Sequence, residues 1–439
     1  MGDSAISTST MDDNLEDELE RWQQLCGTRH THPFKWSNEL KRQRYGQSYS
    51  FKVDLFNLNR NKTLYQRDVK GHHGCVNAVE FSKDGTLIAS GGDDLGIFIW
   101  NAHDAYSAIK PKPRAIMSKK HLSNIFTLAF SKDGRRIFSA GNDGYLLVHD
   151  IETKEKITTF DGSCFYSISL RNDDDNVVAA ATDAGRIYLF DVRQSPNDPV
   201  QTIRERGEIY CVAFNPKEPY YLAACNKLKG LSIFDTIRER GEIYCVAFNP
   251  KEPYYLAACN KLKGLSIFDV RVSDDFFRRA NPETRKTIFA SWDSYGEGLF
   301  CIRSGGTPYY LNTNKNVPLV FSDPKYRNKV TIKSCEIVND EYGFSGSDDW
   351  NIYCWKINRD YDEPSDEKQT FVKLPETEKA FTVLKGHRSI VNHVRHSPTE
   401  DTIISSGVEK IVKVWSGYHL PGSIRDPPRR PRYGHHTVV

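Results

Sequence analysis

Side chains able to do chemistry recur in this sequence in one order and at one spacing. His72 is followed by Ser90, Asp94 and Trp100, His121 by Ser139 and Asp143, and His387 by Ser405 and Trp415. A further stretch supplies Ser345, Asp349 and Trp355 without the histidine. Such residues could serve catalysis or metal binding. A structural role fits them better, because hydrogen bonds among them satisfy groups that are costly to bury. The sequence holds no nucleophile elbow, HExxH, P-loop or dinucleotide fingerprint, and no His/Cys spacing for a metal. Gly91-Gly92-Asp93-Asp94 is a turn and not a phosphate cradle, since no helix follows it. The expectation is therefore a protein with no catalytic residues, no metal and no cofactor.

The elements that must position these side chains are strands. Gly71–Asn101 holds three runs of β-type alternation, Val76–Phe81, Thr86–Ser90 and Ile97–Trp100. Lys83-Asp84-Gly85 and Gly91-Gly92-Asp93-Asp94 separate them, and these are turn residues. A Gly-His pair opens the unit and Trp100 closes it. The pattern resembles one blade of a WD40 β-propeller. That resemblance implies that His72, Ser90, Asp94 and Trp100 hydrogen-bond in series.

Further units follow the same template. His121–Ile151 aligns with it without gaps, with His149 in the place of Trp, and Phe165–Arg193 keeps Asp183. A unit near Leu299–Asp323 is degenerate, Val330–Ile357 is well formed, and Gly386–Trp415 restores Gly-His with Glu409 in the Asp place. His103–Lys120, Phe276–Trp292 and Asp360–Ala380 read as connections. Leu64–Lys70 is expected to supply the outermost strand of the last blade, because the last repeat ends with no fourth strand of its own.

Thr202–Asp235 and Thr236–Asp269 are identical over 34 residues. Ordinary repeats diverge, so identity without one substitution points to a very recent duplication or to an error of sequence assembly. Where the copies join, Phe234-Asp235 runs straight into Thr236-Ile237-Arg238, leaving little chain for a hairpin turn and no Gly or Asn in it. The fold class expected is all-β, a WD40 propeller of seven-bladed ancestry to which the duplication adds an eighth blade. Nearest-neighbour packing allows a ring to widen in that way.

Residues 1–63 are expected to be an acidic tail plus one or two short helices, 64–418 the propeller, and 419–439 an irregular tail. Met1–Glu20 carries seven acids and no base, and Arg425–Arg432 carries four Arg among Pro. Both read as solvated tails. Asn14–Cys26 has Leu15, Leu19, Trp22 and Leu25 at helical spacing, and Trp36–Tyr45 is a second candidate helix with Ser37 as its N-cap. A net charge of +3 argues for no polyanionic partner, and no apolar run reaches the ~18 residues of a membrane span. The blades hold no basic stretch interleaved with aromatics, which argues against nucleic acid. Ten cysteines without CxxC pairs read as buried reduced thiols. The acidic, Ser-rich start lacks an apolar signal core, so a cytoplasmic or nuclear location is expected.

Phe190-Asp191-Val192-Arg193 and Phe268-Asp269-Val270-Arg271 resemble the WDxR box at the end of the third strand in substrate receptors of cullin-4 ubiquitin ligases. GHHGCVNAVEFS, SAGNDGYLLVHD and LKGHRSIVNHV are similar to one subgroup of that family. The resemblance implies a receptor that bridges the ligase's β-propeller adaptor to protein substrates and does no chemistry itself. Arg193 and Arg271 would pair with the adaptor, Asp191 and Asp269 would hold the turns that aim them, and Trp36 and Leu40 would lie on an inserting helix. The competing expectation is a propeller scaffold of a chromatin or other multiprotein complex, unrelated to ubiquitin ligases.

Overall fold

The computed structural model describes residues 64–424, apart from 119, 196–197, 228–229, 234–236, 240–241, 272–275, 280–283, 332, 364–371, 374–378, 401 and 418. Both candidate N-terminal helices, with Trp36 and Leu40, therefore lie outside the described residues.

Eight antiparallel sheets follow one another along the chain. Blade 1 is Val76–Phe81, Leu87–Gly92, Ile97–Asn101 and Ala115–Ile116; blade 2 is Ile125–Phe130, Arg136–Gly141, Tyr145–Asp150 and Lys156–Asp161. Blade 3 is Phe165–Leu170, Val177–Thr182, Arg186–Asp191 and Gln201–Arg204; blade 4 is Ile209–Phe214, Leu222–Asn226, Gly230–Ile233 and Ile237–Glu239. Blade 5 is Ile243–Phe248, Tyr255–Asn260, Gly264–Asp269 and Phe276–Arg279. Blade 6 is Thr287–Trp292, Gly298–Arg303, Tyr309–Asn312 and Leu319–Val320, extended by a parallel strand Val372–Lys373. Blade 7 is Cys335–Val338, Tyr342–Gly346, Asn351–Lys356 and Thr382–Lys385. Blade 8 is Val391–His396, Thr402–Gly407 and Ile411–Ser416, completed by Tyr65–Lys70. The first strand of each blade touches that of the next, and those of blades 8 and 1 also touch, so the ring is closed at eight.

Closure takes the form expected for Leu64–Lys70. Tyr65–Lys70 pairs antiparallel with Ile411–Ser416 in unbroken register, from Tyr65 opposite Ser416 to Lys70 opposite Ile411. The buried Lys413 ammonium donates to Gln66 and to the Asp68 carboxylate across this seam. Val69 packs with Val76, Ile404, Val412, Val414 and Leu420. Beyond the expected boundary at 418 the chain still belongs to the ring: Leu420 is fully buried, and Ile424 exchanges backbone hydrogen bonds with Gln66.

Within each blade the turns do what their residues dictate. In blades 1 and 8 strand one carries a bulge near its start, and the carbonyl of the residue just before that strand presses against the end of the second strand. A Cβ at Gly92 would sit 1.8 Å from the Cys75 oxygen, and one at Gly407 would sit 1.9 Å from the Ile390 oxygen. Only glycine fits there.

Three connections expected from the sequence turn out to contain structure. Phe276–Arg279 is the outer strand of blade 5 and Thr287–Trp292 the inner strand of blade 6, where a single linker was expected. Val372–Lys373 crosses to blade 6 from Asp360–Ala380, the stretch read as a connection. The connection after Trp100 begins with a short helix, α1 (Ala102–Ser107), capped by the Asn101 side chain. Arg67 of the closing strand holds its far end, donating to the carbonyls of Tyr106 at 2.7 Å and Ala108 at 2.5 Å.

The duplicated segment forms a complete extra unit. Each copy begins in the outer strand of one blade and supplies the three inner strands of the next. The interface between the copies, blade 4 on blade 5, is bonded like its neighbours. Asn215 donates to the Pro253 carbonyl at 2.6 Å, while its duplicate Asn249 donates to the Gly296 carbonyl of blade 6 at 2.7 Å.

Because both ends of the described chain meet at the seam, Val69→Asp should open the ring. An unpaired charge among those valines should cost about 3 kcal/mol or more. Guanidinium unfolding curves of the two proteins measure it, with the loss expected in midpoint.

Candidate functional site

The recurrent polar residues form chains of hydrogen bonds at the blade edges. In blade 1 the Trp100 indole donates to Ser90 Oγ at 2.8 Å, which leaves the serine hydrogen for His72 Nε2 at 2.7 Å. His72 Nδ1 then donates to Asp94 at 2.9 Å, and the same carboxylate accepts the His73 backbone N–H at 2.9 Å. These bonds outweigh the burial of Asp94 and hold its carboxyl below the usual range. Blade 2 repeats the pattern, with His121 at 2.8 Å from Ser139 and 2.9 Å from Asp143. His149, in the Trp position, is fully buried. In blade 8, His387 lies 2.6 Å from Ser405, Trp415 donates to the same Ser405 at 2.8 Å, and Glu409 takes the Asp role.

A serine, a histidine and a carboxylate in series are the parts of a hydrolytic triad. Here, however, Ser90, Ser139 and Ser405 have no exposed surface, and Ser90 and Ser405 already accept an indole N–H. No substrate carbonyl can reach such an oxygen. Among the described residues no cluster of His, Cys, Asp and Glu could hold a metal ion.

Blade 7 departs from expectation. Tyr326 occupies the histidine's place, with its hydroxyl 3.0 Å from Ser345 Oγ, and Ser345 donates to the Gly346 carbonyl. Asp349 accepts Tyr353 Oη and Asn351 Nδ2, each at 2.7 Å. The Trp355 indole N–H finds no acceptor among the described residues and the ring packs edge-on to Tyr326 at 5.2 Å. The longer Tyr326 side chain has taken over the serine that Trp355 was expected to reach.

The two Asp-x-Arg boxes are built alike. Arg193 and Arg271 follow the third strands of blades 3 and 5, and each folds back on the aspartate two residues earlier. Arg193 donates from its backbone N–H and its Nε to Asp191 Oδ1 at 3.0 and 2.8 Å, and from Nη2 to Oδ2 at 2.6 Å. Arg271 makes the same three bonds to Asp269 at 3.0, 2.9 and 2.6 Å. In each case the arginine's hydrogen bonds hold the aspartate below its ordinary range, and the aspartate's raise the arginine. The clasp uses the Nε–Nη2 edge of the guanidinium and leaves the Nη1 donors unspent among the described residues. Both side chains remain more than half exposed, at 56% and 52%.

Neighbouring turns complete each clasp. Asp174, in the turn after the inner strand of blade 3, binds Arg193 Nη2 at 2.8 Å. The Arg271 guanidinium lies 4.5 Å over the Tyr254 ring, whose hydroxyl donates to Glu218 of blade 4 at 3.2 Å. Sequence reading finds neither Asp174 nor Tyr254, since neither partner is local to the box. Strand direction puts both arginines on one face of the ring. Between them, blade 4 carries no box: Ile237 stands in the arginine position and pairs with Ile233 in the sheet.

Eight sheets of four or five strands in a closed ring, with these His–Ser–Trp chains, define a WD40-repeat β-propeller. The WD domain, G-beta repeat model matches residues 63–101, 113–150 and 378–416, which are blades 1, 2 and 8. The chain is 35% identical over 372 residues to DDB1- and CUL4-associated factor 5 of Mus musculus and of Homo sapiens. That alignment covers 83% of this chain and 35% of each relative, so the chain matches about a third of their length. Among solved structures, the computationally designed Ika8 protein matches with a TM-score of 0.61 at 16% identity, over 80% of this chain and 98% of that one, which shows the fold.

Two measurements check the site's physics. Ser90→Ala removes the oxygen shared by His72 and Trp100, and should cost about 1–3 kcal/mol in urea unfolding. A second concerns the inner wall near blade 8. Burial pushes His393 down to about 3, helped by Arg395, and pushes His396 down to about 4. Glu336, also through burial, is pushed up to about 7. A histidine of lowered folded pKa binds its proton more readily when unfolded, so stability falls as pH drops below about 6.5. Glu336 has the opposite sign, losing its contribution as pH rises towards 7, but two histidines outweigh one glutamate. Melting temperature should therefore fall between pH 6.5 and pH 4, and His393→Gln should flatten that slope.

Proposed function

We propose that this chain is a non-catalytic substrate receptor of a cullin-4 ubiquitin ligase, presenting Arg193 and Arg271 to the ligase's β-propeller adaptor. By its name, the relative that matches most of the ring associates with DDB1 and CUL4. The observation that carries the reading is the duplicated clasp. Two exposed guanidiniums, each fixed by a bidentate carboxylate and each offering its remaining donors outward, lie on one face of the ring. Arginine's planar fork suits such a role, and the aspartate pays the ordering entropy of the side chain in advance. The opposite face and its loops are left for a protein substrate. A cytoplasmic or nuclear address accords with this role.

The box-free blade 4 bears on the strength of this contact. It sets the arginines a quarter of the ring apart, where neighbouring blades of a seven-membered ring would set them a seventh apart.

Co-purification of the adaptor DDB1 with the tagged chain tests the proposal. Arg193→Ala and Arg271→Ala should each cut adaptor recovery, and the double variant should abolish it while the melting temperature stays constant. Deleting Thr202–Asp235 should raise recovery. Full recovery with the double variant would sink the reading.

A further inference from the structure

Each copy of the doubled segment carries two cysteines, and the sheet sets them side by side. On blade 4, Cys211 of the inner strand lies directly opposite Cys225 of the second strand, and on blade 5 Cys245 lies opposite Cys259. Opposed residues of an antiparallel pair have Cα atoms about 4.5–5.5 Å apart, inside the span that a disulfide bridges. All four cysteines are free. Both thiols of the first pair face blade 5, where they pack with Val246, Leu256 and Ala258. The Cys225 thiol donates to the Cys211 carbonyl at 3.4 Å.

The two pairs share a sequence and differ in what stands beside them. The residue that follows the inner-strand bulge is Ser167 in blade 3, Cys211 in blade 4, Cys245 in blade 5 and Phe289 in blade 6. Cys245 packs in one cluster with the Phe289 ring and is buried. Beside Cys211 the matching residue is only another cysteine, and Cys211 stays partly exposed on the channel wall. Cys225 and Cys259 lie behind them, shielded from solvent. A hydrogen bond from the Cys225 thiol holds the Cys211 thiol below its ordinary range, helped by the Val246 backbone N–H and the Ser167 hydroxyl. Burial pushes Cys225 the other way. Blade 4 therefore sets a front thiol that ionises readily against a shielded thiol behind it.

We propose that Cys211 and Cys225 form a redox-responsive site, closed by a hydroperoxide to a disulfide across blade 4, while Cys245 and Cys259 stay reduced. The Cys211 thiolate attacks one peroxide oxygen, the O–O bond breaks, and the departing hydroxide takes up the thiol's proton as water. The Cys225 sulfur then attacks the sulfenic acid so formed. Its S–S bond replaces the S–O bond, and the second hydroxide leaves with the Cys225 proton, again as water. Two electrons pass from the sulfur pair to the peroxide. Cys225 has no opening to solvent of its own, which makes it the resolving thiol and Cys211 the attacking one. The site owes nothing to the adaptor contact and is read at sulfur alone.

Treating the folded full chain with hydrogen peroxide, alkylating the thiols that remain and digesting with trypsin without reduction tests it. The two copies yield identical peptides, so Cys245→Ala/Cys259→Ala and Cys211→Ala/Cys225→Ala each report one pair. In the first variant Gly207–Lys217 should be joined to Glu218–Lys227, and dithiothreitol should part them. That bond should form about tenfold or more faster than its counterpart in the second variant. Adding Cys225→Ala to the first variant should let a dimedone adduct accumulate at Cys211, which the closing disulfide otherwise prevents. The unsubstituted chain reports even if a variant fails to fold, with half of its copies of the two peptides linked. Absence of the linked peptide overturns the inference, as do equal rates in the two pairs or a Cys211 that gives no dimedone adduct once Cys225 is gone.

Discussion

The structure depends on the seam where Tyr65–Lys70 meets Ile411–Ser416. A blade is a narrow sheet whose two faces are both apolar, and only another blade can cover either one. An open array would leave two such faces in water, together with an unpaired strand edge. Drawing the last outer strand from the beginning of the ring removes both liabilities at once. The buried Lys413 and its partners Gln66 and Asp68 fix that pairing to one register. Arg67, on the same strand, also fastens the end of α1, so the seam organises the insertion after Trp100 as well as the ring.

Blades 1, 2 and 8 were legible in the sequence because their defining contacts are local. His72, Ser90, Asp94 and Trp100 fall within one hairpin pair, so turn chemistry and spacing suffice to place them. Blade 6 lacks those residues, and its inner strand Thr287–Trp292 follows a charged stretch that masks the strand pattern. One of its anchors belongs to another blade, since the Trp292 indole donates to the Ala247 carbonyl of blade 5. Trp355 fails for a different reason: its local pattern is right, but Tyr326 arrives from outside the repeat to claim Ser345.

The candidate sites divide along the same line. An Asp-x-Arg string at the end of a strand announces its own clasp, since both partners lie within two residues. What stiffens the clasp, Asp174 in one case and Tyr254 with Glu218 in the other, depends on turns that only the folded sheet brings near. The row of rings Phe126, Tyr166, Tyr210 and Tyr244 on the inner strands of blades 2 to 5 is further still from sequence view. Its rings are one blade apart along the chain and become neighbours only because the inner strands converge on an axis.

The junction at Phe234–Thr236 gives the inserted blade an asymmetry of its own. Splicing the copies there shortened the connection that would have carried an arginine, leaving Ile237 in its stead. At the other end the same blade arrived whole, with a second tyrosine, glutamate and lysine beside the first. The doubled segment therefore acts with opposite sign on the two openings, omitting an arginine at one and doubling a tyrosine, a glutamate and a lysine at the other. A wheel enlarged this way has had the balance between its two sides reset without a single point substitution.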